Sequence, residues 1–523
     1  SRDWPSAVFC KNVHGFMPDE ISSPTPEQLW EKAAAYLESG ETDVAQKCLL
    51  HWALLLDAST KKEWLDRVPS ELFNAVECIV QTAETVTANA NDTALAWVSI
   101  GQVWLDRNQP EWAHSCFEKG TDTGPNIAMA HHQLGLSWHK KGDVAQAQKS
   151  FQQASKLNPG DAGTWHNLGK CHQDAGRNER AVEAYETALA IEPEHPLAGV
   201  SLASIRLAEF DIAEANVRLS AVIGQHPDNA AARHNRSQIL LLQGQFKQGW
   251  IDFAYRFLVG TREHYPVETH WNDEPIADKH LLVHFEQGLG DTIMFSRFLP
   301  RVQRLCGQLT FECQRTLVEL FRHSFPGIDI VAEGEAPTDF NLHLPLLTLG
   351  ERLGLDETNL LGDRAYLTSP GHAALPDSRH LRVGLAWAGN PHHKNDANRS
   401  IAWKHFAALT ESDGVDFFSL QVGPRAADCA GSEVVSLKGQ LNDVAATAAV
   451  IGQLDLVITV DTAVAHLAGA LGKPTWVLLP SMPDWRWQLH RTDTPWYSQV
   501  KLYRRDAGDV EWAKTLDRIR QDL

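Results

Sequence analysis

Two different rhythms of apolar and polar residues run along the 523-residue chain. Up to about residue 257 the apolar positions fall at helical spacing, and the pattern returns every 34 residues, as in Gly101, Gly135 and Gly169. Pro125, Pro159, Pro193 and Pro227 keep the same period. Small residues mark where paired helices approach: Gly101, Gly135, Gly169 and Ala203 on one helix, and Ala113, Ala147, Ala181 and Ala215 on the next. A proline after each second helix stops it. Beyond residue 257 short apolar runs alternate with helix-like stretches: HLLVHFE, QLTFECQ, IDIVAE, FNLHLPL, then LRVGLAWAG, VDFFSLQV, LDLVITV and TWVLLP. Strands alternating with helices predict parallel sheets covered by helices.

The repeating half, in WVSIGQVWLDRNQPEWAHSCFEKG, HHQLGLSWHKKGDVAQAQKSFQQA and WHNLGKCHQDAGRNERAVEAYETA, resembles the tetratricopeptide repeat over roughly residues 94 to 227. Weaker units flank it. EQLWEKAAAYLESGETDVAQKCLLHWALLLD keeps Ala45 and Leu49 in phase, and RHNRSQILLLQGQFKQGWIDFAYRF keeps Gly249 and Phe253. Atypical end units are expected, because one side of each caps the stack. The predicted order is a lead-in over 1–24, a repeat domain over 25–257, a connector over 258–277, and two α/β units over 278–375 and 376–523. A loop near 366–380, YLTSPGHAALPDSRH, separates those two units. Two small α/β units predict a cleft with ligands at the carboxyl ends of the strands.

Composition narrows the picture. A chain of this length implies more than one core. With 43% hydrophobic and 22% charged residues it reads as a soluble globular protein. The net charge of -19 argues against nucleic acid or an anionic membrane as main partner. No apolar run approaches the roughly 20 residues of a membrane span, and the start SRDWPSAVFCKNVHGF has no signal-peptide pattern. The 8 cysteines are scattered without a CxxC pair, which suits reduced core thiols in a cytoplasmic protein. The 24 histidines include no HExxH-type spacing, so no metal site is expected.

Chemistry is predicted at three places. The stretch HFEQGLGDTIMFSRFLP joins a strand to a helix over Thr292–Cys306 through a glycine turn that carries Gln287, Gly288, Gly290 and Asp291. Asp291 fits a helix cap and fits a general base. In LDLVITVDTAVAHLAGALGKPTWVLLP, Asp461 or Thr462 is the expected N-cap, Gly472 ends the helix, and Pro474 blocks its continuation. Such a helix start either simply caps itself or holds a phosphate, and His466 shares a face with Thr462. The loop after Trp387 offers Asn390, Lys394, Asn395 and Arg399 as donors to an anion, or as a solvated surface. Gln421 follows the neighbouring strand. PDWRWQLHRTDTPWY places Trp485 and Trp487 either in a cleft wall or in packing.

Taken together, EQGLGDTIMFSRFLP, GLAWAGNPHHKNDANRSI, ITVDTAVAHLAGALGKPTWVLLP and PDWRW resemble the bacterial tetratricopeptide-repeat glycosyltransferases, whose catalytic half is similar to the lipopolysaccharide heptosyltransferases. The resemblance implies a repeat solenoid followed by a GT-B fold of two Rossmann-like units. It implies Asp291 as catalytic base. It implies donor contacts from the segment with Asp461, Thr462, Ala463 and His466 and from Lys394, the nearest match to a family lysine; Gln287, Gly288, Gly290, Asn390, Arg399 and Gln421 are added as expected donor contacts from the residues themselves. Ala463 stands where the family carries glycine, which leaves less room for a donor and its identity open. The co-substrate implied is a nucleotide sugar, with no metal and no further cofactor. Flagellin glycosyltransferases belong to the same group, so a protein acceptor docked on the repeats is implied. A glycolipid or polysaccharide acceptor, or a silent protein-binding scaffold, are the alternatives. One residue before each Leu-Gly frame stand Ser99, Gln133, Asn167, Ser201 and Asn235. In the related O-GlcNAc transferase repeats this frame carries an asparagine ladder, so Gln133, Asn167 and Asn235 are the expected acceptor contacts. Polar ties between adjacent repeats are the other reading of that row.

Overall fold

The computed structural model describes residues 90–523 without 107, 262, 263, 361, 363, 364, 394, 438 and 507. The lead-in, the first flanking unit and Lys394 therefore lie outside the described residues. The rest divides into two compact units on either side of Leu202 and Ala203.

Among the described residues ten helices cover the repeats: α1 Ala90–Asp106, α2 Pro110–Thr123, α3 Ala128–Lys140, α4 Val144–Leu157, α5 Ala162–Asp174, α6 Asn178–Ile191, α7 Pro196–Ala208, α8 Ile212–Gln225, α9 Ala230–Leu242 and α10 Phe246–Phe253. Each even-numbered helix from α2 to α8 ends two residues before its periodic proline. Asp143, Asp161, Asp211 and Asn229 cap helix starts by accepting from backbone N–H groups 2.9–3.1 Å away. The periodic glycines have a direct steric cause. A Cβ on Gly101, Gly135 or Gly169 would come within 2.3–2.7 Å of the ring of Phe117, Phe151 or Tyr185. The aromatic ring of one helix thus lies on the bare backbone of its pair. One feature escaped the sequence pattern: Asn108, Gly142, Gly176, Phe210 and Gly244, one period apart, all have positive φ in the turn between paired helices.

In the second unit a four-stranded parallel sheet has the order β3-β2-β1-β4, with β1 His280–His284, β2 Gln308–Cys313, β3 Asp329–Ala332 and β4 Leu342–Pro345. A six-stranded parallel sheet follows in the order β10-β9-β8-β5-β6-β7. Its strands are β5 Leu381–Ala386, β6 Val415–Ser419, β7 Val435–Ser436, β8 Leu456–Val460, β9 Thr475–Leu479 and β10 Val500–Arg504. All eight predicted strands are present, whereas β7 and β10 were not anticipated. The longer helices here are α11 Leu289–Ser296, α12 Val444–Ile451, α13 Ala463–Ala470 and α14 Ala513–Asp522. Among the described residues no helix is long and apolar enough to cross a membrane.

The single helix predicted over Thr292–Cys306 is interrupted. α11 ends at Ser296 and a short helix restarts over Leu299–Gln303. Pro300 is the cause, since it has no N–H for the carbonyl of Ser296 and its ring crowds that carbonyl. Side chains satisfy the last turn instead. Ser296 Oγ and Tyr366 Oη donate to Ile293 O (2.8 and 2.9 Å), and Arg297 Nε donates to Met294 O at 2.9 Å.

One buried core runs through this unit and includes Leu241, Phe246, Trp250 and Phe253 of the last repeat together with residues of both sheets. Trp250 lies flat against Gly350, where a Cβ would be 2.5 Å from its ring, and its Nε1 donates to Leu355 O at 2.9 Å. Just after α10, the buried Arg256 donates twice to Glu286, at 2.7 and 2.8 Å, immediately before the glycine turn. Glu286 also accepts from Leu347 N–H at 2.7 Å.

Candidate functional site

The glycine turn leaves the carboxyl end of β1, and α13 starts at the carboxyl end of β8. Gly288 is the N-cap of α11, and Asp291 in the first turn accepts the Gly288 N–H at 3.1 Å. Thr462 is the N-cap of α13 and accepts from Val464 N–H at 3.3 Å. Gly472 has φ +70° just past the α13 terminus, which favours glycine and ends the helix. The two helix starts touch. A Cβ on Gly290 would lie 2.7 Å from His466 Cδ2, so only glycine lets α11 approach α13 this closely. Two positive helix ends thereby converge, a setting suited to an anion.

Arg486 occupies the junction. It lies between β9 and β10, is only 8% exposed, and its Nη2 donates to Asp291 Oδ1 and to Gln287 Oε1 (the latter at 3.3 Å). Its Nη1 donates to Asp484 Oδ1 at 2.5 Å. Its Nε is buried without a hydrogen-bond partner. Burial pushes the Asp291 carboxyl above its ordinary range, with the Arg486 charge pulling it back. Asp461 is raised to about 6, first by burial and then by the nearby Asp484 charge. His466 is held down to about 3 by burial and by Arg486 and Arg297. Its ring is therefore neutral near pH 7, with Nδ1 3.0 Å from Tyr497 Oη and its face stacked on Trp487 at 5.1 Å.

The structure thus brings Gln287, Gly288, Gly290, Asp291, Asp461, Thr462, Ala463 and His466 into one neighbourhood. Arg399 joins them differently from expectation. It is folded back from its loop, with Nη1 donating to Asp461 O at 3.1 Å and Nε buried without a partner. A Cβ on Gly389 would meet that guanidinium at 2.6 Å. Arg399 is part of the scaffold at the end of β8 as well as a cation beside it. Asn390 is exposed and accepts from His392 N–H at 3.0 Å in a local turn.

Gln421 requires correction as a donor contact. Its Oε1 accepts from Trp387 N–H and Ala388 N–H (3.1 and 2.9 Å), and its Nε2 donates to Ala388 O and Val422 O (3.0 and 3.1 Å). Those four bonds use the amide's whole capacity, so Gln421 pins the loop after β5 and has nothing left for a ligand. Trp485 and Trp487 are buried. Trp485 packs edge-on to Trp250 at 5.4 Å, and Trp487 lies under His466.

On the repeats, Gln133 and Asn167 are half-buried on α3 and α5 of the first unit, and Asn235 is half-buried on α9 of the second. Ties between repeats come from the histidine one residue before two of these. His132 Nδ1 lies 2.7 Å from Thr164 Oγ1, and His166 Nε2 lies 3.3 Å from Ser201 Oγ. Ser201, in the same polar row, is thus a tie. Sequence reasoning missed Arg486, Asp484, Arg297 and the Arg256–Glu286 pair. The available signal was a lone cation among apolar neighbours, as in Trp485-Arg486-Trp487, because such a charge is buried only with partners.

Comparison with known proteins bears on both halves of the chain. The family model described as tetratricopeptide repeat matches residues 139–204, and the one described as glycosyltransferase family 9 (heptosyltransferase) matches residues 425–501. The chain therefore joins tetratricopeptide repeats to a heptosyltransferase-like α/β region. It is 26% identical over 337 residues to Protein FlbA of Caulobacter vibrioides, covering 57% of this chain and 55% of FlbA. The chain thus spans about half the length of that relative. Among solved structures the chain is similar to MamA (20% identity, TM-score 0.28, 34% of this chain and 98% of that one). It is also similar to PilW, a type IV pilus biogenesis factor (17% identity, TM-score 0.30, 32% of this chain and 76% of that one).

Proposed function

We propose that the chain is a GT-B glycosyltransferase that moves a sugar from a nucleotide-sugar donor to a Ser or Thr hydroxyl of a protein docked on its repeats. Flagellin is the acceptor that the resemblance implies. The observation that carries the reading is the meeting of the Asp291 and Thr462 helix starts at the carboxyl ends of two parallel sheets. Asp291 accepts the proton of the acceptor hydroxyl as its oxygen attacks the anomeric carbon. The bond from that carbon to the donor phosphate breaks, and the nucleoside diphosphate leaves. Its negative charge is met by the first turn of α13, by Arg399 and by Lys394. No metal is needed in this scheme, because fixed cations and helix N–H groups carry the phosphate charge. The enzyme so proposed is cytoplasmic and makes no use of nucleic acid.

A panel of nucleotide sugars with an acceptor protein tests the reading. Transfer should occur with one donor and fall about 10²–10⁴-fold in Asp291→Asn, with the donor still bound. Wild-type turnover in Asp291→Asn would remove Asp291 from the base role. Gln133→Ala with Asn167→Ala should raise the apparent KM for protein acceptor while leaving donor hydrolysis and Tm unchanged. A fall in Tm with normal acceptor kinetics would make those amides structural. One observation favours a rival, a silent protein-binding scaffold: Asp291 is occupied by Arg486.

A further inference from the structure

That occupied state suggests a role for Arg486 itself. We infer that Arg486 is a ligand for the donor's phosphate, held in reserve by Asp291, so that phosphate binding also frees Asp291 to act as base. The inference rests on the donor reading above.

Four observations support it. First, Arg486 is more than nine-tenths buried, yet it bridges separate segments, with Nη2 on Asp291 and Gln287 and Nη1 on Asp484. The buried Arg297, by contrast, donates to the carbonyls of Met294, Leu360 and Trp496. Second, its Nε is buried without a hydrogen-bond partner, and its bonds to Asp291, Gln287 and Asp484 leave two of its five donors unused. Third, it holds Asp291 in the first turn of α11, which Gly290 seats directly against His466 of α13. Fourth, Arg399, the other guanidinium beside Asp461, already spends Nη1 on the Asp461 carbonyl.

A diphosphate brings more than one negative charge and paired oxygens that match the guanidinium fork. It competes with the single charge of Asp291 on better terms than water does. The groups that face the exchange are Asp291, Asp484, Asp461 and Arg399. When Nη2 turns to phosphate, the Asp291 carboxylate keeps the Gly288 N–H and regains a free oxygen for the acceptor's proton. Donor binding would then precede activation of the acceptor, and an empty site would not carry an exposed base.

Calorimetry on the full chain tests this with uridine, guanosine, adenosine, cytidine and thymidine diphosphates, each beside its nucleoside. For the diphosphate that binds wild type, Arg486→Gln should weaken binding at least tenfold, with Arg486→Lys between. Asp291→Asn should bind it about three- to tenfold tighter, because the competitor for Arg486 has lost its charge. The matching nucleoside should show neither change. Unaltered or weaker diphosphate binding in Asp291→Asn overturns the inference and leaves the donor reading standing. Absence of binding by every diphosphate to wild type overturns both. Should the Arg486 variants fail to fold, Asp291→Asn still decides, since it is near-isosteric.

Discussion

The contact between Gly290 and His466 can be measured as an interaction energy. In Gly290→Ala the new methyl would stand 2.7 Å from His466 Cδ2 and 3.4 Å from Nε2. Carbon atoms pack at about 3.5–4.0 Å, so roughly 1 Å must be found. His466 has nowhere to retreat, because Trp487 stacks on its face at 5.1 Å and Tyr497 Oη holds its Nδ1 at 3.0 Å. Overpacking of this kind costs about 1–3 kcal/mol. Alanine returns part of that, up to about 1 kcal/mol in a helix interior and less in a first turn. The expected loss is therefore about 1–2 kcal/mol. In a His466→Ala background the methyl enters vacated space, and the same change should be neutral or slightly stabilising. Urea unfolding of the four proteins, followed by tryptophan fluorescence, gives the coupling, expected at about 1–3 kcal/mol. Additive effects to within about 0.5 kcal/mol would show that the two helix starts do not touch as described.

Three further outcomes are expected. Phe210 is 54% exposed with φ 65° where its periodic counterparts Gly142, Gly176 and Gly244 are glycine, so Phe210→Gly should stabilise by about 1 kcal/mol in thermal unfolding. His466 has a folded pKa of about 3 against roughly 6.5 unfolded, so the unfolded chain binds more protons between those values. Its contribution is complete above about pH 6.5 and lost as pH falls toward 3, and His466→Gln should flatten the urea midpoint across that window relative to wild type. Asp461, raised to about 6, gives the opposite slope between about pH 4 and 6, so only the difference between the two proteins isolates the histidine. Arg256→Met should cost about 3–5 kcal/mol by leaving Glu286 buried and unpaired, and adding Glu286→Gln should recover part of that; no recovery in the double variant would refute the pairing.

Much of this architecture was legible because it depends on local pattern. Eight strands announced themselves as apolar runs between turn residues, and the periodic glycines followed from their spacing. The helix start at Thr462 could be read from capping chemistry, whereas the helix expected to start after Asp291 begins three residues earlier, with Gly288 as its cap. What escaped depends on partners far away in sequence. Arg486 is defined by Asp291, 195 residues earlier, and no window contains both. Gln421 misled for a related reason. A polar side chain at a strand's end looks the same whether it faces a ligand or, as here, two backbone N–H groups. Phe210 shows the converse case, a left-handed turn kept by its neighbours with a residue that does not advertise it. Pro300 did advertise the end of α11, but the apolar spacing around it concealed the break.

The Arg256–Glu286 pair and the seat of Trp250 on Gly350 bear on how such a protein can be divided. A cut between residues 257 and 258, where the repeat pattern ends, would strip the α/β half of Arg256 and expose Glu286 at the threshold of the glycine turn. It would also uncover the surface that Trp250 fills. The last repeat is in effect the first piece of the α/β half's own framework, so exchange of repeat arms between relatives should succeed only upstream of it.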